Sequence, residues 1–259
     1  MSACSINDSE EDKKIDLIAK EYDRLNMLLR MNGVYNSNDF HGISYSLNEK
    51  LKNIPVENYR QVFDEIIKKQ IEESTNNSNI SSVLEYQHFS QIGYNKNIDQ
   101  TALYYILARV ENFICEKTNL TPEHDVQYMS TKHSNVYGYH IEHIFSVNDE
   151  NKSYFSSEEV FWNERNNIGA LLLLKGRSNI SSGNEPYNDK IETYSHGTIW
   201  AKTLCPSFYH ANPDFKDFNN WLKKQTGKEF VPYDNFTPKA MEERCRLLYE
   251  IVKIIWDVK

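Results

Sequence analysis

Two groups of residues in this chain have the types and spacing for joint chemistry. The first is His140-Ile141-Glu142-His143, and the second is a series of amides and cations between Asn166 and Lys190 that includes Asn167, Lys175, Arg177, Asn179 and Asn184. On a strand successive side chains face opposite ways, so His140 and Glu142 share one side while His143 projects from the other. That separation suits phosphodiester hydrolysis, which needs a hard cation at the phosphate and a neutral histidine to take a proton from water. Glu142 is a hard oxygen ligand for such an ion, His140 on the same face is a second metal-side candidate, and Asn179 can add an amide oxygen. His143 is then the general base, with Asn179 and Lys190 as the other catalytic candidates. Lys175, Arg177 and Lys190 are the candidate contacts to nucleic-acid phosphates. Asn167, Asn184 and Tyr194 are support: Asn184 before Pro186 can cap a helix, and Tyr194 can pack that helix onto the strands.

The elements that must position these residues follow from periodicity. Ile15, Leu17, Ile18, Tyr22, Leu25, Leu28 and Leu29 predict an amphipathic helix over 13–30, and further helices are expected over 56–73 and 100–116. The polar residues 74–79 read as a loop. Beyond Pro122 the texture changes: 126–129 and 140–144 alternate as short strands do, with Gly138 near a turn between them, and Leu171 to Leu174 is a short apolar run that fits a buried strand. Pro186 with Tyr187, Ile191 and Tyr194 predicts a helix. Thr237 and Pro238 open a last one, striped by Met241, Leu247, Leu248, Ile251, Ile254, Ile255 and Trp256. The expected class is α+β, mainly helical, with residues 1–98 as an N-terminal helical region of unassigned role and 99–259 as the region carrying the chemistry.

Composition excludes several classes. With 39% hydrophobic and 13% aromatic residues among 259, the chain is globular, and no apolar run approaches the roughly 20 residues of a membrane span, so no membrane partner is expected. The polar, acidic stretch Met1 to Asp12 reads as a frayed tail of a cytoplasmic protein and not as a targeting segment. Cys4, Cys115, Cys205 and Cys245 are scattered without a C-x-x-C pair, which suggests free thiols. A formal charge of -8 means that any surface for a polyanion is local, or comes from a partner.

The order H-x-E-H-I, N-x-I-G-x-L-x-L-L, N-x-x-x-x-N and K-x-x-x-Y resembles the HNH, or His-Me finger, nuclease domain at the C-terminal end of GmrSD-type modification-dependent restriction enzymes. Leu103 to Glu111 resembles the helix before that motif and Phe236 to Trp256 its closing helix, so the resemblance covers about 100–258. It implies a ββα-metal core holding one Mg²⁺ or Mn²⁺, with His143 as base and Glu142 and Asn179 on the metal side. It also implies cleavage of DNA, phage or modified, in antiviral defence, with the target selected by a separate nucleotide-hydrolysing or sensor subunit. No G-x-x-x-x-G-K-[ST] loop occurs in this chain.

Two positions depart from the family pattern. Ala170 stands where I-G-N-L has asparagine, the residue that braces the loop of the base, and Asn166 or Asn167 substitutes for it only in a different local register. Phe145-Ser146 stands where an apolar residue and proline are usual. The departures keep a second reading open, a weakened HNH module that binds nucleic acid or an ATPase partner. A third is a helical interaction protein whose His and Glu are incidental.

Overall fold

The computed structural model describes residues 4, 7–52, 54–77, 80–131 and 137–258, the side chains of 180–182 excepted. The expected tail and the expected 74–79 loop therefore fall partly outside the described residues. Two compact units divide the chain, Met1–Phe89 with Val258–Lys259, and Ser90–Asp257.

The first unit is helical: α1 (Glu11–Met31), α2 (Ser37–Leu51), α3 (Tyr59–Thr75) and the short α4 (Tyr86–Phe89). The apolar stripe of α1 buries Leu25, Leu28 and Leu29, and α3, against which it packs, buries Phe63, Ile67 and Ile71. Between them lies a charge network. Arg24 reaches Glu21 at 3.2 Å and Asp64 at 2.6 Å, and Arg60 reaches Glu21 at 2.8 Å. Glu21 and Arg24 are buried, and each is neutralised by this pairing. The 56–73 helix starts with a 3-10 turn at Val56–Asn58, and Asn76 ends α3 in the left-handed conformation at φ 51°. The polar sequence of α2, with only Leu47 and Leu51 buried, gave no stripe by which to foresee it.

The second unit runs α5 (Gln100–Thr118), α6 (Val126–Ser130), β1 (Tyr139–His143), α7 (Asp149–Ser153), α8 (Glu158–Arg165), β2 (Leu171–Lys175), α9 (Gly176–Ser182), α10 (Tyr187–Ser195), α11 (Ile199–Lys202), α12 (Pro206–Ala211), α13 (Phe215–Thr226) and α14 (Pro238–Ile255). It is mainly helical with a two-stranded antiparallel sheet, an α+β arrangement. The expected strand at 126–129 is instead α6. The Asp125 side chain accepts from Tyr128 N at 2.7 Å and caps a turn there, and four alternating residues are too few to tell a strand from a helical turn. Gly138 lies at the end of the β1–β2 ladder, where its carbonyl accepts from Gly176 N.

β1 and β2 pair from Tyr139↔Lys175 to His143↔Leu171, and Ile144 N donating to the Ala170 carbonyl extends the ladder. Two strands alone are marginal, and here helices complete both outer edges. The Tyr104 hydroxyl of α5 accepts from Ile141 N on β1. On β2, Trp200 Nε1 donates to the Leu171 carbonyl and the Thr198 hydroxyl to that of Leu173. Glu111, buried on α5, anchors that clamp: its carboxylate accepts from the amides of Ile199 at 2.6 Å and Trp200 at 2.9 Å, two unpaired donors at the start of α11. The predicted closing helix is α14, capped by Thr237 through Ala240 N, and it packs on α5 and on the 3-10 turn Ile168–Ala170. Gly169 permits that contact, since a Cβ there would lie 2.4 Å from the Met241 carbonyl oxygen. No helix among the described residues is long and apolar enough to cross a membrane.

Candidate active site

The site gathers where β1 ends, α8 ends and α10 passes. Nε2 of His143 lies 2.9 Å from the side-chain oxygen of Asn166, the C-cap residue just past the end of α8. The Tyr94 ring meets the imidazole edge to face at 5.1 Å. Backbone holds Asn166 in turn, because Tyr94 N donates to its carbonyl at 2.8 Å. That approach requires Gly93, where a Cβ would sit 1.8 Å from the same carbonyl oxygen. Burial, and next the Arg165 guanidinium, push the His143 imidazole down to about 3, although the Asn166 contact favours its proton. The ring is therefore neutral at ordinary pH. In the tautomer that donates Nε2–H to Asn166, its lone pair is on Nδ1.

Glu142 is 5% exposed, and its Oε1 is engaged twice, by Lys190 Nζ at 2.5 Å and by the Tyr194 hydroxyl at 3.1 Å. Both partners come from α10, one helical turn apart, so that helix clamps the carboxylate from one face. Oε2 accepts no hydrogen bond among the described residues and is not sealed from solvent. A carboxylate fixed through one oxygen and open at the other is an oriented hard donor. Glu142 thus offers one carboxylate oxygen, and among the described residues no group of three or more His, Cys, Asp and Glu side chains is placed to hold a metal ion.

The other expected residues are placed as follows. The ammonium of Lys190, expected at a phosphate, is 1% exposed and spent on Glu142. Tyr194, expected to pack helix on sheet, also donates to that carboxylate. Lys175 pairs with Glu123, and Arg177 is exposed on α9. Asn179 is half-buried on α9, which packs on both strands. His140 is half-buried on β1. Asn184 does not cap α10; Pro186 is the capping residue, and the Asn184 carbonyl accepts from Asn148 Nδ2. Asn167 accepts from Gly169 N at 2.9 Å and donates to the Ser90 carbonyl at 2.8 Å, holding the turn before β2.

The two departures in sequence have local explanations. Ala170 is fully buried, its amide bonded to the Asn167 carbonyl and its own carbonyl to Ile144 N, so backbone ties hold this position. Asn166 and Asn167 beside it make side-chain ties, Asn166 to His143 and Asn167 to Gly169 N and the Ser90 carbonyl. Phe145 is fully buried against Phe155 and Phe236, and the Ser146 hydroxyl donates to the Glu185 carbonyl, which fixes the chain after β1 without proline. Arg165 and Tyr94 escaped the sequence reading. Arg165 had one local signal, its place just before Asn166-Asn167-Ile168-Gly169, whereas nothing near Tyr94 marks it.

Fold and site together define a mainly helical α+β protein that brings a neutral histidine close to an oriented buried carboxylate. The family model for the C-terminal domain of GmrSD restriction endonucleases matches residues 45–231. That is most of the chain, and the chain belongs to this family of restriction endonucleases. The match begins within α2, earlier than the motif resemblance at about residue 100, and ends before α14. No curated protein and no solved structure matches at a significant level.

Proposed function

We propose that the chain is a divalent-metal-dependent HNH endonuclease that hydrolyses phosphodiester bonds of DNA, with the chemistry in the unit Ser90–Asp257. The observation that carries this reading is His143, neutral and held by Asn166, next along β1 to a carboxylate that keeps one oxygen open. His143 is the general base: its free ring nitrogen takes the proton of the attacking water, and Asn166 holds the ring in place while it does so. Glu142 is the ion's protein ligand, with Asn179 and His140 as further candidates, and Lys190 and Tyr194 fix its orientation. Mg²⁺ or Mn²⁺ bound there supplies charge neutralisation at the phosphate. Family membership together with the net charge of -8 favours an effector in phage defence, acting in the cytoplasm with a separate ATPase or sensor subunit.

The test is plasmid cleavage by the purified protein with Mg²⁺ or Mn²⁺ against an EDTA control, with His143→Ala alongside. The expected result is metal-dependent cutting that the variant loses while keeping its circular dichroism spectrum. Full cutting by the variant overturns the assignment of the base. Absence of cutting by both, even with a partner supplied, moves the reading to a weakened module, for which Ala170 is the motivating residue.

A further inference from the structure

The reaction needs a cation at the phosphate, and the lysine expected to supply it is closed off. Lys190 is buried against Glu142, and Lys175 is paired with Glu123. A different cation stands beside His143. Arg165 is the last residue of α8 and directly precedes Asn166, whose side chain touches the imidazole. Its Nε donates to the Phe145 carbonyl at 3.1 Å, two residues beyond His143, which ties the guanidinium to the exit of β1. Its charge acts on both His143 and Glu142.

The two terminal nitrogens of Arg165 make no hydrogen bond or ion pair among the described residues, and the residue is half-buried. The guanidinium carbon lies 5.1 Å from the ring centroid of Trp162, an aromatic 42% exposed on the same helix. The carboxylate whose charge acts on Arg165, that of Glu142, is already paired with Lys190. What remains is a planar fork with free N–H donors, held by its inner nitrogen, next to a neutral histidine. That geometry matches the non-bridging oxygens of a phosphate better than an ammonium would.

We propose that Arg165 binds a backbone phosphate of DNA beside His143, with the exposed Trp162 ring flanking it. This rests on the nuclease reading above. The experiment measures binding of a 20-base-pair duplex by fluorescence anisotropy in EDTA, where the metal-dependent reaction is off, across a salt series for wild type, Arg165→Met, Arg165→Lys and His143→Ala. Arg165→Met should raise Kd about tenfold near 0.1 M salt and lower the slope of log K against log salt by about 0.9, the loss of one phosphate contact. Arg165→Lys should keep the slope and raise Kd by about threefold, because charge is retained and the fork is lost.

An unchanged slope and Kd in folded Arg165→Met overturn the proposal and leave Arg165 as a packing residue. Should that variant not fold, Arg165→Lys decides, and wild-type affinity in it has the same overturning effect. His143→Ala separates the two ideas. It should bind as wild type does but not cut, so lost cutting there with an unchanged slope in Arg165→Met sinks the phosphate contact alone, whereas full cutting by His143→Ala overturns the assignment of the base, and no cutting by wild type with Mg²⁺ or Mn²⁺, even with a partner supplied, removes the nuclease reading.

Discussion

The side-chain oxygen of Asn166 stands 2.9 Å from Nε2 of His143 across a sequence separation of 23 residues, and it fixes the orientation of the imidazole ring. Asn166→Ala should leave the fold within about 1 kcal/mol of wild type, the worth of one hydrogen bond. It should lower kcat by roughly 10–100-fold through misplacement of the imidazole. Steady-state cleavage with thermal unfolding of the same sample checks both, and an unchanged kcat would remove Asn166 from the mechanism.

Ala170→Asn tests whether the family's missing asparagine is missed. Position 170 is fully buried, with both backbone groups already bonded. An amide forced in there costs about 1–3 kcal/mol and braces nothing that Asn166 and Asn167 do not already hold. The expected outcome is a lower unfolding midpoint with no gain in cleavage. A faster enzyme would show that the ties seen at Asn166 and Asn167 are not a replacement.

Lys190→Met strands the Glu142 charge in the interior. Removing one partner of a buried pair costs about 3–5 kcal/mol. Adding Glu142→Gln should recover most of that loss while the double variant stays inactive for want of the carboxylate. Urea unfolding of the single and double variants measures the coupling. Additive effects would mean that the 2.5 Å contact contributes little.

Glu111 supplies a pH dependence unrelated to the site. Burial holds its carboxyl above the usual carboxylate range, against the two amides that favour its charged form. A raised folded-state value means that its contribution is fully present below about pH 4.5, the ordinary glutamate range, and is lost as pH rises through the folded value. Glu111→Gln cannot ionise, so the stability gap between wild type and variant should favour wild type most at pH 4 and narrow toward pH 8. A gap independent of pH in paired denaturant titrations would refute the assignment.

What was legible in the sequence and what was not separates along one physical line. Helices α1, α5 and α14 were legible because each carries a long apolar stripe, which a sequence window captures. The strand β1 was legible in its alternation, and its His-Glu-His run in its residue types. Its environment was not, since a charged lysine defaults to solvent in any sequence reading, and only the fold shows Lys190 buried against Glu142. The tie from Asn167 to Ser90 spans 77 residues, and the Gly93 and Tyr94 contacts with Asn166 are of similar reach. The short α6 was misread because one capped turn and one short strand share the same four-residue pattern.

The contacts around His143 and Glu142 draw on residues from Gly93 to Tyr194, with the two strands themselves separated by α7 and α8. No short stretch of the chain contains a working fragment of the site. A chain still emerging from the ribosome carries His143 before it carries Asn166, Lys190 or Tyr194, so the site stays incomplete until the second unit has been made at least through Tyr194. Assembly of the fold is therefore the first control on whatever this site does.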